Sequence, residues 1–262
     1  MLDDNGKQAD PRSVEEFYDL LAPNYDAMTS FEQRFVQERP FFQALVDRFH
    51  IRSALDAGCG SGFHSLLLSQ LGVDVLGVDV SVEMLRLVEG HARERNAHIR
   101  TLQGSFENLG DLIKERFGSV FVMGNSLVHL LSAATLEKAL RNFAMVLDPQ
   151  GVLVIQILNY ERIVARREHI QNQKRAGTKI FVRSYDYDDA GILFNIVTRE
   201  QEKTISEEKT QTVRLRPIFR AELVTLLERV GFTDIGTFGG ISLVPFNAVN
   251  SKDLVVLARK GD

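Results

Sequence analysis

The segment 55–62, with the sequence LDAGCGSG, places three glycines at alternate positions after a short apolar stretch. Glycine lets the backbone turn tightly and leaves no Cβ between the chain and a ligand. A helical apolar pattern begins directly afterwards at Phe63, so the free N–H groups of that helix would point at the ligand. These residues predict a strand, a glycine loop and a helix that together bind a nucleotide-like molecule.

A carboxylate ends the next apolar strand, where Asp79 follows Asp56 by 23 residues. An acidic residue about 20 positions along, after the second strand of a βαβ unit, is placed to accept hydrogen bonds from ribose hydroxyls. The dinucleotide fingerprint also requires a glycine at the sixth position counted from Gly58, and Phe63 stands there. The spacing therefore predicts a nucleoside ligand and argues against an NAD-dependent oxidoreductase.

Two further motifs follow later strands. Residues 123–130 read MGNSLVHL after an apolar strand, and residues 159–160 read Asn-Tyr after another. The D-x-G-x-G-x-G form of residues 56–62 resembles the first motif of class I S-adenosylmethionine (SAM)-dependent methyltransferases. The later two motifs resemble those of the glycine/sarcosine N-methyltransferase-like small-molecule methyltransferases. The wider resemblance covers most of residues 14–260, and it implies SAM as cofactor and a small-molecule methyl acceptor.

The resemblance also implies roles for individual residues on the cofactor side. Asp79 would bind the ribose hydroxyls, Arg34 would pair with the methionine carboxylate, and Ser105 with Phe106 would contact the adenine. The main chain at Met123 would contact the cofactor. The residues predicted to bind SAM are Tyr25, Arg34, Ala57, Gly58, Gly60, Asp79, Val80, Met84, Ser105, Phe106, Met123 and His129.

Asn125, His129 and Tyr25 are the predicted catalytic residues, in the sense that they position the reactants. The resemblance implies that the Asn125 amide orients the nucleophile and that His129 lies near the methionyl part of SAM. Tyr25, and with it Tyr18, would face the sulfonium or the substrate because an aromatic face attracts a cation. The alternatives are a helix cap for Asn125, a core histidine for His129, and ordinary packing of the two tyrosines.

The sequence differs from the glycine/sarcosine N-methyltransferase-like enzymes at the position immediately before Asn-Tyr. In those enzymes an arginine at this position holds the carboxylate of the amino-acid acceptor. Here the residue is Leu158. A leucine cannot pair with a carboxylate, and burying that ion without a partner is costly. Glycine itself is therefore disfavoured as the acceptor.

The apolar patterns predict an α/β fold with a Rossmann-like seven-stranded sheet, mostly parallel with its last strand antiparallel. The resemblance implies that residues 1–50 form an N-terminal helical lid over the cofactor. Its first helix begins at a Ser13 capping box and ends at Pro23, and Ser30 begins a second capping box. A further helix then runs through Phe49 with Pro40 in its first turn.

The SAM-binding domain is assigned to residues 51–175 and 217–262. Residues 176–216 alternate as strands and are interpreted as an antiparallel insertion of three strands over the substrate pocket. One of its faces would carry the specificity residues Arg183, Tyr185 and Tyr187. A half-exposed sheet face with cross-strand pairs is the alternative for those side chains.

The amino-acid composition limits which binding partners are expected. The chain of 262 residues has a net charge of −4, no long basic run and one cysteine, which disfavours nucleic acid as a partner and rules out an internal disulfide. No signal-peptide pattern opens the sequence, and no apolar run approaches the ~20 residues that cross a bilayer. The six histidines are scattered, so no metal site is predicted. A cytoplasmic protein is expected, and the oligomeric state is open.

The predicted reaction is in-line transfer of a methyl group to a small molecule, with an amine nitrogen favoured because a neutral amine needs no strong base. One alternative is a small-molecule O-methyltransferase with His129 as base. The other is a SAM-binding module without transfer activity. Methylation of a nucleic-acid amino group is disfavoured, because no Pro-Pro-Tyr follows the fourth strand.

Overall fold

The computed structural model describes residues 11–201 and 206–261 of the chain. The strands in chain order are β1 (Ser53–Ala57), β2 (Asp74–Asp79), β3 (Arg100–Gln103), β4 (Phe117–Val122), β5 (Leu147–Leu158), β6 (Ile170–Ala176), β7 (Lys179–Asp188), β8 (Gly191–Gln201), β9 (Ser206–Leu215), β10 (Phe232–Phe238) and β11 (Asp253–Lys260). The α-helices are α1 (Val14–Thr29), α2 (Phe31–Phe49), α3 (Phe63–Gln70), α4 (Val82–Glu94), α5 (Leu109–Leu112), α6 (Ala133–Val146), α7 (Tyr160–Arg166) and α8 (Arg220–Arg229), and a 3₁₀ helix spans Ser126–His129.

The larger sheet has seven strands in the order β3-β2-β1-β4-β5-β11-β10. Neighbouring strands pair in parallel except at β11, which is antiparallel to both β5 and β10. The predicted seven-stranded sheet with one antiparallel strand is thus confirmed. The strand order reverses between β1 and β4, and ligands of open α/β sheets bind at such a reversal, outside the carboxyl ends of the strands.

A second sheet of four antiparallel strands, in the order β6-β7-β8-β9, lies within residues 170–201 and 206–215. The sequence predicted three strands within residues 176–216, and the structure adds β6 before them. The sequence of β6, IQNQKRA, is too polar to show the alternation of a half-buried strand. Such a strand is nevertheless stable at an edge, where only one side needs a backbone partner and polar side chains remain in water.

Helix α1 begins at the predicted Ser13 capping box but does not end at Pro23, so that boundary is wrong. An interior proline leaves one carbonyl without its helical donor and costs about 3 kcal/mol. Buried side chains on both sides of Pro23, including Leu21 and Met28, pack into the main core and hold the helix continuous to Thr29.

Helix α2 also contains its proline, Pro40, in the interior rather than in the first turn. It begins instead after Ser30, which has a φ of 60° and whose side chain makes no capping hydrogen bond, so the second predicted capping box is wrong. The buried residues of α2, among them Phe41 and Phe42, pack beside α3.

Helix α1 links the two sheets, since it contacts α4 of the larger sheet's layer and β6 and β9 of the smaller sheet. The first ten residues of the predicted lid lie outside the described residues. Within residues 11–201 and 206–261, no helix has the length and apolar character needed to cross a membrane.

Candidate functional site

A cavity of about 280 Å³ lies at the carboxyl ends of β1, β2, β3 and β4, against α1. Of the residues predicted to bind the cofactor, the cavity is lined by Tyr25, Arg34, Gly58, Gly60, Asp79, Val80, Ser105, Phe106, Met123 and His129. Ala57 and Met84 are fully buried beside it and are not among its lining residues.

The glycine loop forms one wall of this cavity. Gly58 has a φ of +70°, and a Cβ there would lie 2.9 Å from the Cβ of Ser126, so no larger residue fits without a shift. Ser126 donates a hydrogen bond from Oγ to the main-chain oxygen of Met123 at 2.7 Å. Ser126 belongs to the motif at residues 123–130, but the motif did not indicate that its side chain packs on the glycine loop.

Asp79 is held at the end of β2 by two backbone amides. Its Oδ2 accepts from the Gly60 N–H at 2.8 Å and its Oδ1 accepts from the Ser81 N–H at 3.0 Å. Burial raises the pKa of Asp79 to about 6, although both amide hydrogen bonds act in the opposite direction. Each oxygen retains a lone pair, so the carboxylate can still accept hydrogen bonds from hydroxyl groups.

Arg34 enters the cavity from α2 and is fixed by three neighbours. Its Nε donates to Glu38 Oε1 at 2.6 Å, its Nη2 lies 3.3 Å from His64 Nε2, and its guanidinium lies 4.0 Å from the centre of the Phe63 ring. Burial alone would raise the pKa of Glu38, but the hydrogen bonds and charges of His64 and Arg34 lower it to about 2. Glu38 therefore stays ionised and holds the cation in place. The spacing of Arg34 and Glu38, four residues apart on one helix, could have indicated their pairing, but no local pattern indicates that His64 joins them.

His129 lines the first cavity and contacts helix α1. The His129 Nε2 and the Tyr18 hydroxyl lie 2.9 Å apart, although the two residues are 111 positions apart in sequence. Burial lowers the pKa of His129 to about 4, so its imidazole is neutral at pH 7. Its Nδ1 is buried and has no hydrogen-bond partner among the described residues.

A second cavity of about 300 Å³ adjoins the first, between α1 and the antiparallel sheet. Tyr18, Tyr25, Arg34 and His129 line both cavities. The far wall comes from the antiparallel sheet and carries Gln171, Arg183, Phe194, Ile196 and Leu215.

Asn125 lines the second cavity rather than the first. Its Oδ1 accepts from the Leu158 N–H and its Nδ2 donates to the Tyr160 hydroxyl, both at 3.0 Å. Its side chain makes no capping hydrogen bond to the 3₁₀ helix that follows, so it does not act as a helix cap. Its amide plane is therefore fixed, with Oδ1 still able to accept a second hydrogen bond.

Of the three predicted specificity residues, only Arg183 lines a cavity. Tyr185 is buried in the core, and Tyr187 donates from its hydroxyl to the main-chain oxygen of Glu168 at 2.7 Å. The alternation of β7 placed both tyrosines on the same face as Arg183. That pattern could not show that the side chains of Tyr185 and Tyr187 are covered by the core and by α7 and therefore do not face the cavity.

Comparison with known proteins finds similarity to methyltransferases. A family model described as "Methyltransferase domain" matches residues 54–151. A glycine/sarcosine N-methyltransferase from Aphanothece halophytica is 28% identical over 227 residues, which cover 86% of this chain and 82% of that protein. A dTDP-3-amino-3,6-dideoxy-alpha-D-glucopyranose N,N-dimethyltransferase from Streptomyces fradiae is 31% identical over 154 residues, 58% of this chain and 56% of that protein.

The fold is likewise similar to solved structures. A SAM-dependent methyltransferase from Clostridium acetobutylicum superposes with a TM-score of 0.78 at 16% identity, covering 94% of this chain and 99% of that one. The similarity includes nearly the whole chain and therefore both sheets.

Proposed function

We propose that this chain, a class I SAM-dependent methyltransferase, transfers the methyl group of SAM to the amine nitrogen of a small molecule held in the second cavity. The first cavity would hold the donor and the second the acceptor, and the two meet beside Tyr18, Tyr25 and His129. The transfer would take place at that junction.

The residues of the first cavity fit SAM. The glycine loop leaves backbone exposed where any Cβ on Gly58 would clash, and Asp79 keeps acceptor capacity for the ribose hydroxyls. Arg34 would pair with the methionine carboxylate, and Ser105 with Phe106 would contact the adenine. Val80 and Met123 line this cavity and would also contact the cofactor, whereas Ala57 and Met84 are buried beside it. Bound SAM supplies a methyl group already activated by the positive charge of its sulfonium.

We favour an amine over a hydroxyl because the described residues around the junction include no strong base. The pKa of His129 is lowered to about 4, and burial raises the pKa values of Tyr18 and Tyr25 above their ordinary value of 10. Among the described residues that line the second cavity, none is an Asp or a Glu. An amine that arrives neutral attacks without losing a proton first, whereas an aliphatic hydroxyl needs a base.

The chain's own contribution is then orientation and exclusion of water. Asn125 would accept a hydrogen bond from the amine through Oδ1, which its bonds to Tyr160 and Leu158 hold in place. Tyr25 and the Tyr18–His129 pair would fix the relative positions of donor and acceptor. Helix α1 lines both cavities and would shield the reacting atoms from water.

The experiment is methyl transfer from isotopically labelled SAM to paired small amines and alcohols with the same carbon skeleton, with products identified by mass spectrometry. We expect label on nitrogen and little or none on oxygen. Glycine is expected to be a poor acceptor, because Leu158 lines the second cavity where the related group would offer a cation. Label found on the alcohols alone would contradict the proposal.

An O-methyltransferase with His129 as base is the second candidate, and the unpartnered Nδ1 of His129 favours it. If His129 takes a proton, the rate should fall steeply below the pKa of His129, and His129→Gln should abolish that dependence. An unchanged rate in His129→Gln would exclude the base.

A further inference from the structure

Arg183 is a cation without an anionic partner in the wall of the second cavity. Its Nε donates to Asn172 Oδ1 at 2.8 Å, which fixes the plane of the guanidinium. Its two terminal nitrogens make no hydrogen bond to any described residue, and no ion pair joins it to a described carboxylate. The fork formed by these two nitrogens is the geometry that binds a carboxylate or phosphate through two parallel hydrogen bonds.

The surroundings of Arg183 add no negative charge. Burial lowers the pKa of Arg183, and the nearby Arg34 lowers it further, while the hydroxyls of three tyrosines act in the opposite direction. Lys174 is also close enough for Arg183 to lower its pKa. Arg34 already has Glu38 as its partner, whereas Arg183 has none. A partly buried cation near two others is costly unless a ligand supplies the missing anion.

A second polar atom in the same wall lacks a partner. The Oε1 of Gln171 is buried without a hydrogen bond to the described residues, and Gln171 lines the second cavity with Arg183. As an acceptor, this oxygen would take a hydrogen bond from an N–H or O–H group of the ligand and not from the anion itself. Apolar side chains also line the second cavity. They are Phe17, Leu21, Met28, Leu158, Phe194, Ile196 and Leu215.

We propose that Arg183 binds an anionic group of the methyl acceptor, so that the acceptor is an amine whose apolar body carries a carboxylate or a phosphate. This inference rests on the proposed function, because it takes the second cavity to be the acceptor site. The anion lies at the antiparallel sheet and the amine at the junction, with the body between them. Leu158 is consistent with this arrangement, since the anion is held by a different strand.

The test measures binding to the complex with S-adenosylhomocysteine (SAH), so that it does not depend on turnover. Calorimetry compares butanoate, 4-methylpentanoate and 3-phenylpropanoate with their primary amides. The corresponding phosphonates distinguish a phosphate from a carboxylate preference. We expect at least one anion to bind about tenfold or more tightly than its amide, because hydrogen bonds between two charged groups are among the strongest in proteins.

Arg183→Met should remove that difference, while Arg199→Met should keep it. Arg199 is the matched control because it lies on β8 of the same sheet, pairs with Glu208 and lines neither cavity. The affinity for SAH should change less than twofold in both variants, which shows that each is folded.

Three results would overturn the inference. One is that no anion binds more tightly than its amide, and another is that the preference persists in Arg183→Met. The third is a loss of SAH affinity in Arg183→Met with the preference intact, which would place Arg183 in the donor site. If the anions bind as expected but no amine is methylated, the proposed function fails and the anion site stands.

Discussion

The buried carboxylate of Asp79 shows how one residue serves both the fold and the ligand. It accepts the amides of Gly60 and Ser81, so it fixes the glycine loop and the start of α4 at the same time. A side chain of similar shape that donates instead of accepting would face those two N–H groups and repel one of them.

We therefore expect Asp79→Asn to weaken SAH binding at least tenfold, as measured by calorimetry. Asp74→Asn is the matched control, because Asp74 lies at the other end of the same strand and is exposed. Equal SAH affinities in Asp79→Asn and the parent would contradict the proposed ribose contact.

The raised pKa of Asp79 predicts a pH dependence of donor binding. Since that pKa is about 6, the carboxylate takes up a proton as the pH falls through 6 and then accepts fewer hydrogen bonds. SAH affinity should decrease over that interval in the parent protein, and Asp79→Asn should show no such decrease. Calorimetry on both proteins across the range checks this, and a flat profile in the parent would count against it.

At the scale of secondary-structure elements, His91 on α4 contacts both α1 and the glycine loop. Its Nε2 lies 2.9 Å from Asp26 Oδ2 on α1, and its Nδ1 lies 2.8 Å from the main-chain oxygen of Ser61 in the glycine loop. Both ring nitrogens face acceptors, so the imidazolium is the form that satisfies both. The hydrogen bond to Asp26 raises the pKa of His91 accordingly.

A histidine whose pKa is raised by folding adds stability below its unfolded pKa and loses that stability as the pH rises through its folded pKa. We expect His91→Gln to lower the free energy of unfolding by about 1 kcal/mol near pH 6, and by much less near pH 9. Denaturant unfolding at both values measures this. His98→Gln, at an exposed histidine, should have no such effect, and a pH-independent loss in His91→Gln would refute the expectation.

Helix α1 offers a second test at this scale. Pro23 is exposed within the helix, so Pro23→Ala restores the missing N–H donor without removing buried surface. We expect the free energy of unfolding to rise by about 1–3 kcal/mol. Thermal unfolding provides the measurement. No gain would mean that the interior proline is not strained in this helix.

For the whole molecule, the parts that follow one another along the chain could be predicted from sequence. Alternating apolar strands and helices specified the seven-stranded sheet, and the spacing from Asp56 to Asp79 specified a βαβ unit. Contacts between distant segments could not be predicted. Nothing local indicates that Tyr18 reaches His129, or that the Arg34–Glu38 pair of α2 meets His64. The polar strand β6 was missed because pairing with β7, and not its own pattern, makes it a strand.

The shared wall formed by α1 predicts that donor binding stabilises this helix in particular. We expect saturating SAH to slow amide hydrogen exchange in α1 by about tenfold or more, because the helix must open for these amides to exchange. Helix α8 serves as the control, since none of its residues lines either cavity. Mass spectrometry of peptides from both helices tests this, and equal slowing in both would argue against it.

The division of the cavity walls has a consequence for how new specificities arise in such a molecule. Side chains of β6 to β9 line the second cavity alone, whereas those of α1 line both. If the second cavity holds the acceptor, as proposed, mutational drift in the four-stranded sheet can remodel the choice of acceptor while leaving the donor site intact. A laboratory evolution campaign would then do best to randomise that sheet.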